Sequence, residues 1–156
     1  MSYKVDKQII FQTSTLPAAQ SISTSYTEVT GSKAQVSLKN TKTSFLYKFT
    51  FYAYSTDTKA LLLHARLESS NDNFSSDVQT IAGCQRNIAG DTEQFSDKYF
   101  KVNTVMFIVE DLDREYLRLS VRSYSTDFEC DLHRSASFDG TADDVCLNPS
   151  LVILEL

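Results

Sequence analysis

Apolar residues in this chain recur at every second position, the period of an extended strand with one side chain up and the next down. Phe45, Tyr47, Phe49, Phe51 and Ala53 share one side of a segment whose other side carries Leu46, Tyr52 and Tyr54. The pattern predicts a strand over residues 45–55, the longest in the chain and apolar on both faces. Over residues 60–68, Leu61, Leu63, Ala65 and Leu67 alternate with His64, Arg66 and Glu68, which predicts a strand with one apolar face. Strand signals return over residues 99–109. They continue where Leu117, Leu119 and Val121 alternate with Tyr116, Arg118, Arg122 and Tyr124, and where Phe128, Cys130 and Leu132 alternate with Glu129, Asp131 and His133. A terminal strand over residues 150–156 follows Pro149.

The connections are read from turn residues. Ile22, Tyr26 and Val29 turn at Gly31 and Ser32 into Ala34, Val36 and Leu38, which reads as a hairpin. The charged turn over 110–114 joins the strand over 99–109 to that of Leu117 as a second hairpin. The polar stretch 69–98 reads as a long surface loop holding a short strand, anchored by Val78, Ile81 and Ile88, and 138–148 reads as a further loop. No window carries the helical period, so no helix longer than about two turns is expected.

About eight strands punctuated by turns predict an all-β, antiparallel two-sheet sandwich of the jelly-roll type. A single domain over residues 1–156 is expected, with 1–20 as a loosely packed N-terminal arm. Its core is expected to contain Phe49, Phe51, Leu61, Leu63, Leu117, Leu119, Val121, Leu132 and Ile153. Composition agrees with sheet over helix: ten Phe, eight Tyr and many Thr, Ser and Val suit a pleated surface.

Charge and motifs narrow the chemistry. A formal net charge of −5 argues against a nucleic-acid partner, which calls for clustered Lys and Arg. The first fifteen residues lack the apolar core of a secretion signal, and no run approaches the ~20 apolar residues of a membrane helix. Cys84, Cys130 and Cys146 are odd in number and lie far apart, which suits reduced thiols and a reducing compartment better than zinc or disulfide chemistry. The only histidines, His64 and His133, fall on polar strand faces. Two histidines without a carboxylate at ligand spacing make a poor metal set. The acidic turns 110–113 and 139–144 supply oxygens without the spacing of a calcium loop and read as solvated turns. Asn73-Phe74-Ser75 is a formal glycosylation sequon that matters only on a secretory route. No enzymatic activity, metal or cofactor is expected.

What the pattern does point to is association. A strand in a two-sheet sandwich needs only one apolar face, yet residues 45–54, 105–109 and 151–154 are apolar on both. Either loops of the same chain cover the second faces or copies of the chain do. The tyrosines Tyr52, Tyr54, Tyr116 and Tyr124, with Val152 and Leu154, are the residues expected at such an interface, where aromatic groups with a polar tip are favoured. The loop Asn71-Asp72-Asn73-Phe74, an aromatic among amide and carboxylate groups, is the candidate ligand-binding loop.

The stretches Leu117-Arg-Leu-Ser-Val-Arg-Ser-Tyr-Ser, Cys130-Asp-Leu-His-Arg, Phe138-Asp-Gly-Thr-Ala-Asp and Pro149-Ser-Leu-Val-Ile-Leu-Glu-Leu, with Ser25-Tyr-Thr-Glu-Val-Thr-Gly-Ser upstream, resemble the jelly-roll domains of marine phage and large-virus structural proteins. Those domains are similar in fold to the tumour-necrosis-factor and complement-C1q domains. The resemblance spans residues 22–156 and departs in the scarcity of Gly, the three cysteines and the lack of a fibre stalk. It implies a homotrimeric virion structural protein, assembled in the host cytoplasm: a capsid decoration, a minor capsid protein or the head of a tail fibre or spike used in host attachment. Partners would be further copies, other virion proteins or a host-surface glycan, with no nucleic acid and no membrane insertion. The alternative is a carbohydrate- or receptor-binding recognition module, a lectin or C1q-like ligand.

Overall fold

The computed structural model describes residues 7–16, 18–39, 42–55, 61–90, 99–128, 130–136 and 144–156. Most of the predicted turns at 55–59 and 139–144 lies outside the described residues, as does the side chain of Cys146. Among the described residues the elements are β1 Ile9–Thr13, β2 Gln20–Ile22, β3 Thr27–Glu28, β4 Ala34–Gln35, β5 Thr43–Ser55, β6 Leu61–Ser70 and β7 Gln79–Gly90. They continue with β8 Tyr99–Leu112, β9 Tyr116–Ser123, the 3-10 turn Thr126–Phe128, β10 Cys130–Leu132, β11 Arg134–Ala136, β12 Asp144–Cys146 and β13 Ser150–Glu155.

The protein is all-β, with two antiparallel sheets and a small hairpin of β11 and β12. In sheet A, β5 is the axis. Its whole length pairs with β8 on one edge; on the other, its first half pairs with β13 and its end with β10. Beyond these lie β1 on β13 and β2 on β10. In sheet B, β7, β6 and β9 follow one another, and β3 and β4 pair with β9 at successive positions. The period-two residues then do what burial requires. Phe45, Tyr47, Phe49 and Phe51 of sheet A meet Leu61, Leu63, Leu67, Leu117, Leu119 and Val121 of sheet B in one core. Every residue of the expected core is buried.

Gly31 ties the sheets together at one end. The chain between β3 and β4 bulges out and back: Ser32, fully buried, accepts from the Leu119 amide and donates to the Leu119 carbonyl with its hydroxyl. The Tyr47 phenol reaches across from sheet A to donate to the Ser32 carbonyl at 2.7 Å. Burial pushes the Tyr47 phenol well above its usual pKa, so it stays a donor. Gly31 sits at φ +83°, and a Cβ there would lie 2.8 Å from Pro149 Cγ and 2.9 Å from Ser14 Oγ, so only glycine lets these segments close.

Pairing departs from the sequence pattern in several places. β3 and β4 lie along the same edge of β9 as one interrupted strand and do not pair with each other, so the expected hairpin at Gly31 is absent. The second expected hairpin is absent too: β8 lies in sheet A and β9 in sheet B, and residues 113–115 cross between the sheets. β8, at 14 residues, is longer than β5 at 13. The stretch expected as a loop with a short strand instead contains β7, 12 residues long and paired with β6. β7 escaped the pattern because its ladder slips. Arg66 pairs with Gln85 but Glu68 with Thr80, so residues 81–84 bulge from the sheet and break the alternation. Cys84, at the end of the bulge, lies in the core, and Val78, expected as an anchor, is exposed just before the strand. Residues 9–13, expected within a loose arm, are hydrogen-bonded to β13 along their length.

Candidate functional site

The outward face of sheet A is built by register. Reading across β1, β13, β5 and β8, one row is Ile9, Leu154, Leu46 and Ile108; the next is Phe11, Val152, Lys48 and Met106. A third row is Thr13, Ser150, Thr50 and Thr104, with the Thr50 and Thr104 hydroxyls 3.0 Å apart, and past it Tyr52 pairs with Val102. Seven of the eight positions in the first two rows are apolar. With strands about 4.8 Å apart, each row is roughly 14 Å long, so these side chains form a continuous patch. Ile9 is 71% exposed, Phe11 70%, Ile108 62% and Met106 56%. No loop among the described residues covers the patch, and it extends over the β8 edge into a groove floored by Phe107 and walled by Gly83, Cys84 and Arg86.

The six residues expected at an interface do not share one surface. Tyr52, Val152 and Leu154 are half-buried on this face. Tyr54 is on the same side of β5 but only 2% exposed, with the Arg134 guanidinium 5.0 Å above its ring, so it belongs to the packing of the β10–β11 corner. Tyr116 and Tyr124 extend from β9 and its end on the outer face of sheet B, on the opposite side of the sandwich. Tyrosines on strands far apart in the chain look alike in sequence; only pairing decides which sheet each joins. Ile9, Phe11, Val102, Met106 and Ile108 are the exposed members that the tyrosine criterion passed over. Their signal was the apolar spacing of two within Ile9–Phe11 and Met106–Ile108.

The outer face of sheet B is polar by contrast. Glu68, expected to point to solvent, is 1% exposed. Its carboxylate accepts from Arg66 Nε at 2.7 Å, Arg118 Nε at 2.8 Å and the Ser120 hydroxyl at 2.7 Å. Burial acts to raise its pKa, but these hydrogen bonds outweigh it and hold the carboxyl below its usual range. Arg118 reaches on to Glu28 at 3.1 Å and lies 4.1 Å over the Phe74 ring.

The candidate ligand loop is closed on itself. The Asp72 carboxylate accepts from the backbone amides of Ser75, Ser76 and Asp77 and from the hydroxyls of Ser70 and Ser76, which depresses its pKa strongly. Asn73 and Phe74, at φ +57° and +64°, form the turn, and Phe74 is held under Arg118. Asn71 and Asn73 remain exposed, but the acceptor and the ring expected to meet a ligand are occupied.

His64 is half-buried against Arg122 and Tyr124. His133, expected on a surface, is fully buried at φ +62° with no hydrogen bond to either ring nitrogen, and burial pulls its pKa down to about 4. Cys84 and Cys130 are buried free thiols; burial, with Asp131 adding, pushes Cys130 up to about 12. Among the described residues no three His, Cys, Asp or Glu side chains gather as a metal set. No protein-family model and no curated protein matches the chain.

Proposed function

We propose that this chain is a jelly-roll module that works by assembling with its own copies through the outer face of sheet A, as a homotrimeric virion structural protein without enzymatic activity. The observation that carries the reading is the two-row apolar patch of Ile9, Phe11, Leu46, Met106, Ile108, Val152 and Leu154. Apolar residues scattered singly on a surface need no partner, whereas a contiguous patch does. Lys48 is the one charge within it, and the third row of hydroxyls gives a polar border of the kind interfaces carry at their rim.

Strand order supports the jelly-roll reading. With β1 and β2, β3 and β4, and β10 to β13 each counted as one interrupted strand, sheet A runs first, eighth, third, sixth and sheet B runs second, seventh, fourth, fifth. That interleaving is what two Greek keys wound together produce. The threefold order, the likeness to tumour-necrosis-factor and C1q domains, and the setting as a capsid decoration or fibre head in a particle assembled in the host cytoplasm rest on the sequence resemblance. Assembly on sheet A would turn sheet B outward, free for attachment. Light scattering coupled to gel filtration tests the reading: three times the 17.6 kDa chain mass is expected, and a 17.6 kDa species at micromolar concentration would refute it.

A further inference from the structure

We propose that the row Tyr26, Arg122, His64 and Asn87 on the outer face of sheet B is a binding site for a carboxylated saccharide. The row is set by pairing: Arg122 faces His64, His64 faces Asn87, and Tyr26 stands just before β3 beside Arg122, its ring 5.2 Å from that guanidinium.

Charge bookkeeping on this face singles out Arg122. Arg66 and Arg118 are matched by Glu68 and Glu28. Arg122 meets no carboxylate among the described residues; its contacts are His64 Nδ1 at 3.3 Å and the Tyr26 ring. Its Nε–H is shielded from solvent and has no acceptor, so a ligand would be met by the two terminal nitrogens of the guanidinium. A planar guanidinium is the side chain best shaped for a carboxylate, which it can hold through two parallel hydrogen bonds.

The neighbours suit a sugar. The Tyr124 ring is 57% exposed and stands edge-on to His64 at 5.5 Å, offering an apolar surface beside the cation. Tyr26 lies between Arg66, 3.8 Å from its ring centre, and Arg122, so its position is fixed. The exposed Asn87 amide and the His64 ring supply donors and acceptors for hydroxyl groups. An acidic peptide is the poorer fit, because β9 and β6 are paired on both edges here and leave no backbone for an extended chain to join. The site faces away from sheet A, so it stands or falls independently of the assembly.

The test is an amide-shift titration by nuclear magnetic resonance of the full chain with N-acetylneuraminic acid and with glucuronic acid. Glucose serves as the uncharged control and triglutamate as the peptide arm. Shifts centred on Tyr26, His64, Asn87, Arg122 and Tyr124 are expected, with glucose binding about tenfold or more weakly, a difference of ~1.4 kcal/mol. Arg122→Gln should lose a similar factor, and Tyr124→Ala, at an exposed position, should weaken binding while the fold is kept. No shifts in this row at millimolar sugar acid, or triglutamate binding as tightly as the sugar acids, would overturn the assignment. So would affinity unchanged in Arg122→Gln or, if that variant does not fold, in Tyr124→Ala.

Discussion

Two glycines with similar backbone angles separate conformational strain from close approach. Gly83 sits at φ +75° with open space where a Cβ would go, so Gly83→Ala should cost only the backbone term, about 1 kcal/mol. Gly31→Ala adds contacts below 3 Å with Pro149 and Ser14, and should lower the urea midpoint by clearly more. Equal losses would mean that the closure around Gly31 gives way easily. His133 makes a second prediction at this scale. Its pKa is about 4 folded against about 6.5 in an open chain, so the unfolded state binds more protons between these values. The stability it contributes is complete above pH 6.5 and is lost as pH falls toward 4. Most carboxylates titrate lower, so the melting temperature should already fall between pH 6.5 and 5, and His133→Asn, which tolerates the positive φ, should flatten that slope. A wild-type melting temperature constant over that range would contradict the buried neutral imidazole.

At the scale of elements, the Glu68 carboxylate joins β6 to β9, and Arg118 carries the link on to Glu28 of β3. Glu68→Gln would leave Arg66 and Arg118 without their shared partner. The loss should fall near the lower end of ~3–5 kcal/mol, since both guanidiniums keep some contact with water. Because the Glu68 pKa is lowered in the fold, its contribution is present above the ordinary glutamate range and is lost as pH falls below it. Chemical denaturation at pH 7 and pH 3 should therefore show a smaller wild-type-to-variant gap at pH 3; a gap that does not change would place the effect in packing. Leu119, in the centre of β9, is fully buried, and Leu119→Ala should cost about 2–5 kcal/mol at any pH.

For the whole molecule the two outer faces are opposite in character, apolar on sheet A and ionic on sheet B. If association uses sheet A, then Met106→Asp with Ile108→Asp should give a monomer by light scattering with an unchanged circular dichroism spectrum, since both side chains are already exposed. Retention of the wild-type mass would move the interface elsewhere. Tyr54→Asp is no test of assembly, because Tyr54 is buried under Arg134 and its loss would perturb folding.

Local alternation was enough to say that the protein is built of strands and, where one face is polar, which side turns to the core; β7, whose alternation is broken by its bulge, stayed hidden. Period-two spacing of Phe45 to Ala53, Leu61 to Leu67 and Leu117 to Val121 leaves one way to hide the apolar side. Which strands become neighbours is set by contacts between residues far apart in the chain, and there local reading failed. Glu110 to Arg114 look like a hairpin turn but end β8 and cross to the other sheet; Gly31 looks like a hairpin turn but marks a bulge in one strand. The same limit hid the character of the two outer faces. Ile9, Leu154, Leu46 and Ile108 become one apolar row only after β1, β13, β5 and β8 pair. Glu68 is buried, Arg122 meets no carboxylate among the described residues and Tyr116 is parted from Tyr52 for the same reason, because charge balance and solvent access depend on neighbours that pairing alone brings together.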